Sequence, residues 1–112
     1  MLRAGGYMVH LIDPSDHYSH SDHSLSAVNF LRFSEEQFAR FNNSFLYQNR
    51  LRASQWRQLI EQHQFAIVLW HAVTDLDARR ALASLPIDRA FSGMSEDDLC
   101  TTAIWVVARR PP

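Results

Sequence analysis

The chain has 112 residues, with 11 basic and 12 acidic side chains, six histidines, one cysteine and 46% hydrophobic residues. This length and composition predict one globular domain over residues 1–112, since domains usually have about 100–150 residues. The net charge of −1 provides no long-range attraction to nucleic acid or an anionic membrane, so we expect neither partner. The single Cys100 excludes an internal disulfide, and no signal-like leader or membrane-length apolar run is visible, so we expect a cytoplasmic protein.

The first predicted element is a strand over Tyr7–Ile12, which Gly5-Gly6 opens and Asp13-Pro14 closes. It is apolar on both alternating faces, as in a sheet that is covered on both sides. Residues 15–26 lose all periodicity and fill with Ser, His and Asp, which indicates a surface loop of the kind that carries function. The apolar segment Ala27–Phe33 fits either a short helical turn or an irregular pass under the core.

Two helices are predicted next. Ser34 and Gln37 have the spacing of a capping box, which predicts a helix that begins there and runs to about Phe41. Ser54 is a good N-cap for a second helix, in which apolar residues and His63 share one stripe opposite glutamines and Glu61. The amphipathic period makes the second helix the clearest in the chain.

The remainder alternates strand and helix. Phe65–Trp70 predicts a buried strand, Asp75 caps a helix over Leu76–Leu85, Ser95 caps a single turn, and Thr101–Val107 predicts a third strand. The order of elements predicts an α/β layer fold. Strands that are apolar on both faces need helices on both sides of the sheet and neighbouring strands at both edges. Three strands are too few for such a sheet, so the chain looks like part of a larger one.

Several segments, in order, resemble the C-terminal half of class I S-adenosylmethionine-dependent methyltransferases. They are Arg3–Asp13 (RAGGYMVHLID), Asn49–Ser54 (NRLRAS), Trp56–Ile60 (WRQLI), Gln64–Val68 (QFAIV) and Thr101–Arg109. The first is similar to the Gly-Gly entry into that family's fifth strand, and the others to its last helix and its sixth and seventh strands. The segment from Asp16 to Phe33 looks similar to a bacterial subgroup of the family.

The resemblance implies a partial Rossmann-like methyltransferase sheet of three mixed strands with flanking helices, in which the last strand is central and antiparallel. The family's glycine-rich turn, which holds S-adenosylmethionine, is absent from this sequence. The chain alone is therefore not expected to bind that cofactor. The strand Tyr7–Ile12 would present a free edge, and such an edge pairs with something, so we expect a homodimer or a complex with a partner at this edge.

The loop over residues 13–23 holds three histidines and three aspartates. His17, His20 and His23 recur every three residues, and imidazoles with carboxylates are metal ligands, although Pro14 and three serines disfavour a regular helix. The loop leaves the carboxyl end of a strand, where α/β sheets bind ligands, and the resemblance places the methyl acceptor there. Asp16 or His17 would then act as general base toward an acceptor hydroxyl or amine. A merely polar, solvated loop is the alternative.

All 11 basic residues are arginines, through either codon bias or a need for planar bidentate donors. Three of them, Arg32, Arg50 and Arg52, flank the predicted site and would clamp a carboxylate or phosphate. The alternative is that Arg50 or Arg52 pairs with a local carboxylate or caps a helix carbonyl. The full candidate substrate-binding set is Asp13, Asp16, His17, Tyr18, Asn29, Arg32, Arg50 and Arg52.

These observations favour the acceptor-side portion of a methyltransferase that is inactive alone because its cofactor half is missing. A non-catalytic dimerisation or binding module derived from the same fold is the second hypothesis. A small metal-dependent hydrolase built on the His/Asp loop is the third. Trp56, Trp70 and Trp105 are predicted to lie in the core, which explains them without any role in stacking on nucleic acid bases.

Overall fold

The computed structural model describes residues 3–42 and 48–112. Its sheet has three strands, β1 (Tyr7–Ile12), β2 (Ala66–Thr74) and β3 (Thr101–Arg109), in the order β1-β3-β2. β3 is antiparallel to both neighbours, which confirms the predicted central, antiparallel position of the last strand. The prediction of a mixed sheet is wrong for the described residues, because both strand pairs are antiparallel. With its helices the chain is a mixed α/β protein, and the sheet is open at both edges among the described residues.

The first helix, α1 (Glu35–Phe41), forms as its sequence predicts. The backbone amide of Gln37 donates to Ser34 Oγ at 3.2 Å, and the amide of Ser34 donates to Gln37 Oε1 at 3.0 Å, which completes the capping box. Phe38 from this helix is buried in the core. The apolar segment before it contains a short 3₁₀ helix, Asn29–Arg32, so the helical-turn alternative for residues 27–33 is confirmed.

The second helix, α2 (Ala53–Gln62), begins two residues earlier than predicted, and Ser54 is not its N-cap. Arg52 occupies the cap position instead, and its amide donates to Gln55 Oε1 at 2.8 Å. Asp98 of helix α4 (Glu96–Cys100) accepts the Ser54 amide at 2.8 Å and the Ser54 hydroxyl at 2.5 Å. A carboxylate 44 residues away therefore supplies the acceptor that the helix N-terminus needs, which local sequence does not reveal.

The strand predicted at Phe65–Trp70 forms as β2 and continues to Thr74, with a bulge-like irregularity between Ile67 and Leu69. The prediction that it is buried is wrong, because its residues are exposed or half-buried. Helix α3 (Leu76–Leu82) ends three residues before the predicted Leu85, and Asp75 caps it as predicted through a 2.8 Å bond from the Ala78 amide. Ser95 caps α4 by accepting the Asp98 amide at 3.1 Å.

The main core lies beyond one end of the sheet, where the loop after β1 meets the short helices. We call this region the helical end; its buried apolar residues are Val28, Phe30, Leu31, Phe38, Ala78, Phe91, Leu99 and Cys100. Helix α2 packs against β2 and β3, and Ile104, Val106 and Ala108 of β3 are buried on one face of the sheet. Among the described residues no helix is long and apolar enough to span a bilayer.

The opposite face of the sheet is apolar and exposed. We call it the open face, and its large side chains are Tyr7, Val9 and Leu11 of β1, Leu69 and Val73 of β2, and Trp105 of β3. The register places them together, because Leu11 and His71 both lie beside Trp105, and Val9 and Leu69 both lie beside Val107. The core prediction for Trp105 is wrong: its side chain is 49% exposed because no described helix covers this face.

Candidate functional site

The carboxyl ends of β1 and β2 lie at the same end of the sheet, because both strands are antiparallel to β3. The loop over residues 13–28 leaves the first of these ends and Asp75 follows the second. In open α/β sheets, ligands bind outside the carboxyl ends of the strands. The structure therefore brings the His/Asp loop to the end of the sheet where the sequence predicts a site.

Four side chains form a cluster at this end of the sheet: Asp13, Ser15, His17 and His20. Asp13 Oδ1 accepts the Ser15 amide at 2.9 Å and the Ser15 hydroxyl at 2.5 Å. His20 Nε2 lies 3.2 Å from Ser15 Oγ and 3.6 Å from Asp13 Oδ2, and His17 Nε2 lies 3.9 Å from the same carboxylate oxygen. Both imidazoles and the carboxylate reach solvent, with side-chain exposures of 36%, 56% and 43% for His17, His20 and Asp13.

The spacing of the histidines explains why two of them meet. His17–His20 is a 3₁₀ helix, in which residues three apart are eclipsed, and the two rings stack with centroids 5.2 Å apart. His23 lies beyond this helix and is exposed. Across residues 3–42 and 48–112, no three His, Cys, Asp or Glu side chains are grouped as a metal site requires. The structure thus joins His17 and His20 but leaves His23 apart from them.

Asp16, the other candidate base, is only 2% exposed. Its Oδ1 accepts the Tyr18 amide at 3.0 Å, which caps the 3₁₀ helix, and the Gln48 side-chain amide at 3.4 Å. Gln48 Oε1 in turn accepts the His17 amide at 2.9 Å. Asp16 therefore fixes the backbone that presents His17, while the accessible proton acceptors of the cluster are the imidazoles and Asp13.

Arg50 and Arg52 are placed inside the protein, at 7% and 0% exposure. Arg52 donates to the carbonyls of Pro14, Arg50 and Leu99 at 2.6, 3.0 and 3.5 Å. Burial lowers the pKa of the Arg52 guanidinium to about 10, and it lowers the pKa of Arg50 as well. These contacts match the alternative of a local role, because both donor forks point at the protein's own groups.

Arg50 joins α1 to the loop before it. Its Nη1 donates to the carbonyls of Phe30 and Phe33 at 3.0 and 2.5 Å, and its Nη2 lies 3.6 Å from Glu35 Oε1. The guanidinium carbon also lies 4.4 Å from the centroid of the Phe38 ring, within cation–π range. The side chain therefore holds the helical end together.

The three remaining candidates lie nearer the surface. Arg32 is exposed, and its guanidinium carbon lies 4.9 Å from the centroid of the Phe33 ring. Asn29 is half-buried at the start of its 3₁₀ helix, and Tyr18 is half-buried beside His17 in the first one. Of the candidate arginines, Arg32 alone presents its guanidinium to solvent, so it is the one available to an anionic ligand.

A cavity of about 380 Å³ opens between the loop after β1 and the start of α3. Its lining residues are Ser19, His23, Ser24, Leu25, Ser26, Ala27, Asp75, Asp77 and Ala78. The sequence interpretation did not include Asp75 and Asp77 in the site, because Asp75 reads as a helix cap, which it also is. Their position directly after a strand's carboxyl end is the signal that points to them.

The chain was compared with known proteins at three levels. No protein-family model, no curated protein and no solved structure matches it.

Proposed function

We propose that this chain is the C-terminal, acceptor-side portion of a class I S-adenosylmethionine-dependent methyltransferase, and that it is inactive without the cofactor-binding half. The observation that carries the proposal is the strand order, in which β3 lies antiparallel between β1 and β2. The resemblance of the sequence motifs implies this order, and an open βαβ arrangement of unrelated origin would place successive parallel strands side by side.

In this proposal the cluster of Asp13, Ser15, His17 and His20 faces the methyl acceptor. The imidazoles of His17 and His20 reach solvent, so either ring takes a proton from an acceptor hydroxyl or amine as the methyl group transfers. Asp13 Oδ2 lies within 4 Å of Nε2 of both rings, so the carboxylate and the two imidazoles face one acceptor site together. S-adenosylmethionine, bound by the missing half, supplies the methyl group.

The proposed partner binds at the free edge of β1. Within the described residues β1 pairs with β3 along one edge, and its other edge faces no strand. Unpaired backbone groups along a six-residue apolar strand are a template for another strand. A strand of the cofactor-binding half, whether covalently joined or supplied as a separate chain, satisfies them.

The test is calorimetry with S-adenosylmethionine on two samples. One is the 112-residue chain, and the other is the same chain joined to the segment encoded directly upstream of it. We expect no heat of binding for the first and a micromolar Kd for the second. Micromolar binding by the chain alone, or no binding by the joined protein, contradicts the proposal.

The second candidate function is a non-catalytic binding module derived from the same fold. The exposed open face favours it, since apolar patches of this kind mark interaction surfaces. The methyl-transfer activities of the joined protein and of its H17A and H20A variants distinguish the two functions. A loss of methyl transfer of at least 10²-fold supports the acceptor-side portion, and no methyl transfer by the unchanged joined protein supports the binding module.

A further inference from the structure

The open face is larger than the scattered apolar exposure of an ordinary surface. Its six large side chains are between 38% and 68% exposed, at Val73 and Val9 respectively. They lie side by side on one face of the sheet rather than scattered singly, and contiguous exposed apolar patches mark interaction surfaces.

The two ends of the open face carry opposite charge. Arg109 lies on the face beside Tyr7, with its guanidinium carbon 5.7 Å from the ring centroid, and exposed Arg3 precedes β1 at the same end. At the other end, Asp13 follows β1 with its side chain 43% exposed, whereas the Asp75 carboxylate is used to cap α3 by accepting the Ala78 amide. The face is thus basic where β1 begins, and Asp13 supplies an acidic end where β1 ends.

We propose that the open face is a self-association surface, on which a second copy of this chain packs its own open face. A two-fold axis that runs across the strands turns the second sheet over and reverses its strands. The basic end of each copy then lies over the acidic end of the other, and this attraction occurs twice in one isologous interface. Sheets that pack face to face lie about 10 Å apart with their side chains interdigitated.

This inference does not rest on the proposed methyltransferase function. The face-to-face arrangement covers the side chains of β1 but leaves its free backbone edge accessible. The edge remains available to the cofactor-binding half. Pairing through the edge and pairing through the face are therefore different interfaces, and separate variants distinguish them.

The first experiment is sedimentation velocity from about 1 to 200 µM on the 112-residue chain. We expect a monomer–dimer equilibrium with a micromolar Kd, and L69K should raise that Kd at least tenfold. Leu69 is 48% exposed on the open face, so the substitution leaves the core intact; circular dichroism checks the fold. L59K is the matched control, since Leu59 is 37% exposed on α2, away from this face, and should leave the Kd unchanged.

The second experiment tests the charge arrangement. R109E should weaken the dimer at least fivefold, because it places like charges opposite each other at both ends of the interface. The control is R40E, since Arg40 lies on α1 and is 73% exposed there. A Kd that R109E leaves unchanged overturns the proposed two-fold orientation.

The third experiment distinguishes face from edge. His71 lies in the middle of β2 on the open face. In the proposed dimer of stacked sheets, the His71→Cys thiols of the two copies should therefore be cross-linked by a thiol reagent of ~8 Å reach. The natural Cys100 is buried and should give no product. A monomer throughout the concentration range, or a dimer that survives L69K and does not cross-link through residue 71, overturns the proposal.

Discussion

The helical end and the open face both contain many apolar side chains, but these are buried at the helical end and exposed on the open face. At the helical end, short helices and loops pack Phe30, Leu31 and Cys100 to 1% exposure or less. On the open face, Val9 remains 68% exposed although its strand is equally apolar. The difference shows that an apolar sequence does not by itself determine burial, because a side chain is buried only where another element packs against it.

The largest expected difference between the two regions is in core truncation. F30A should lower the free energy of unfolding by about 3–5 kcal/mol, because it leaves a cavity among packed side chains. V9A should change it by no more than about 0.5 kcal/mol, because that side chain is largely solvated already. Urea unfolding at a protein concentration well below the Kd of the proposed dimer measures both. Equal losses for the two variants would break the comparison.

The next largest effect concerns the buried arginine. R52A removes a guanidinium that donates to three main-chain carbonyls, of Pro14, Arg50 and Leu99. Unsatisfied buried groups and the lost charge-assisted bonds should cost about 3 kcal/mol. The matched control is R40A, which removes an exposed ion pair with Glu36 and should cost less than about 1 kcal/mol. Thermal unfolding of the two variants side by side provides the measurement, and a loss for R52A no larger than that for R40A would contradict the structural role.

A smaller effect is expected at the joint between the helical end and α2. D98A removes the acceptor for the Ser54 amide and hydroxyl, so stability should fall by about 1–2 kcal/mol, as for loss of an N-cap. S54A removes one of these two bonds and should cost less. If the two variants are equally stable, Asp98 does not cap α2.

The smallest effect is expected at the turn from α2 into β2. Gln64 has a φ of 65°, in the left-handed region that disfavours a side chain. Q64G relieves that strain and should raise the free energy of unfolding by a few tenths to about 1 kcal/mol. Chemical denaturation checks the sign, and a loss of stability would show that the Gln64 side chain contributes more than the strain costs.

The sequence predicts elements well where the signal is local. The Ser34–Gln37 capping box and the Asp75 cap both form at the predicted residues, because each is decided within four residues. The cap of α2 was assigned to Ser54 and is supplied by Asp98, since that contact depends on the tertiary fold. Trp105 was placed in the core because an apolar strand does not show which of its faces lacks a covering layer.

The candidate site is predictable in part. The position of the His/Asp loop at a strand's carboxyl end follows from element order alone, and the meeting of His17 with His20 follows from their spacing once the 3₁₀ geometry is known. The burial of Arg50 and Arg52 does not follow, because main-chain carbonyls that they bind, of Phe30 and Pro14, are 20 and 38 residues away in the sequence.

The central claim, that this chain is one part of a methyltransferase domain, is tested most directly by sequencing the DNA upstream of the codon for Met1. We predict a segment, in frame or directly adjacent, that encodes a strand followed by a glycine-rich turn and a helix, the elements that would hold S-adenosylmethionine. An upstream region with a promoter immediately before Met1 and no such segment would contradict the claim.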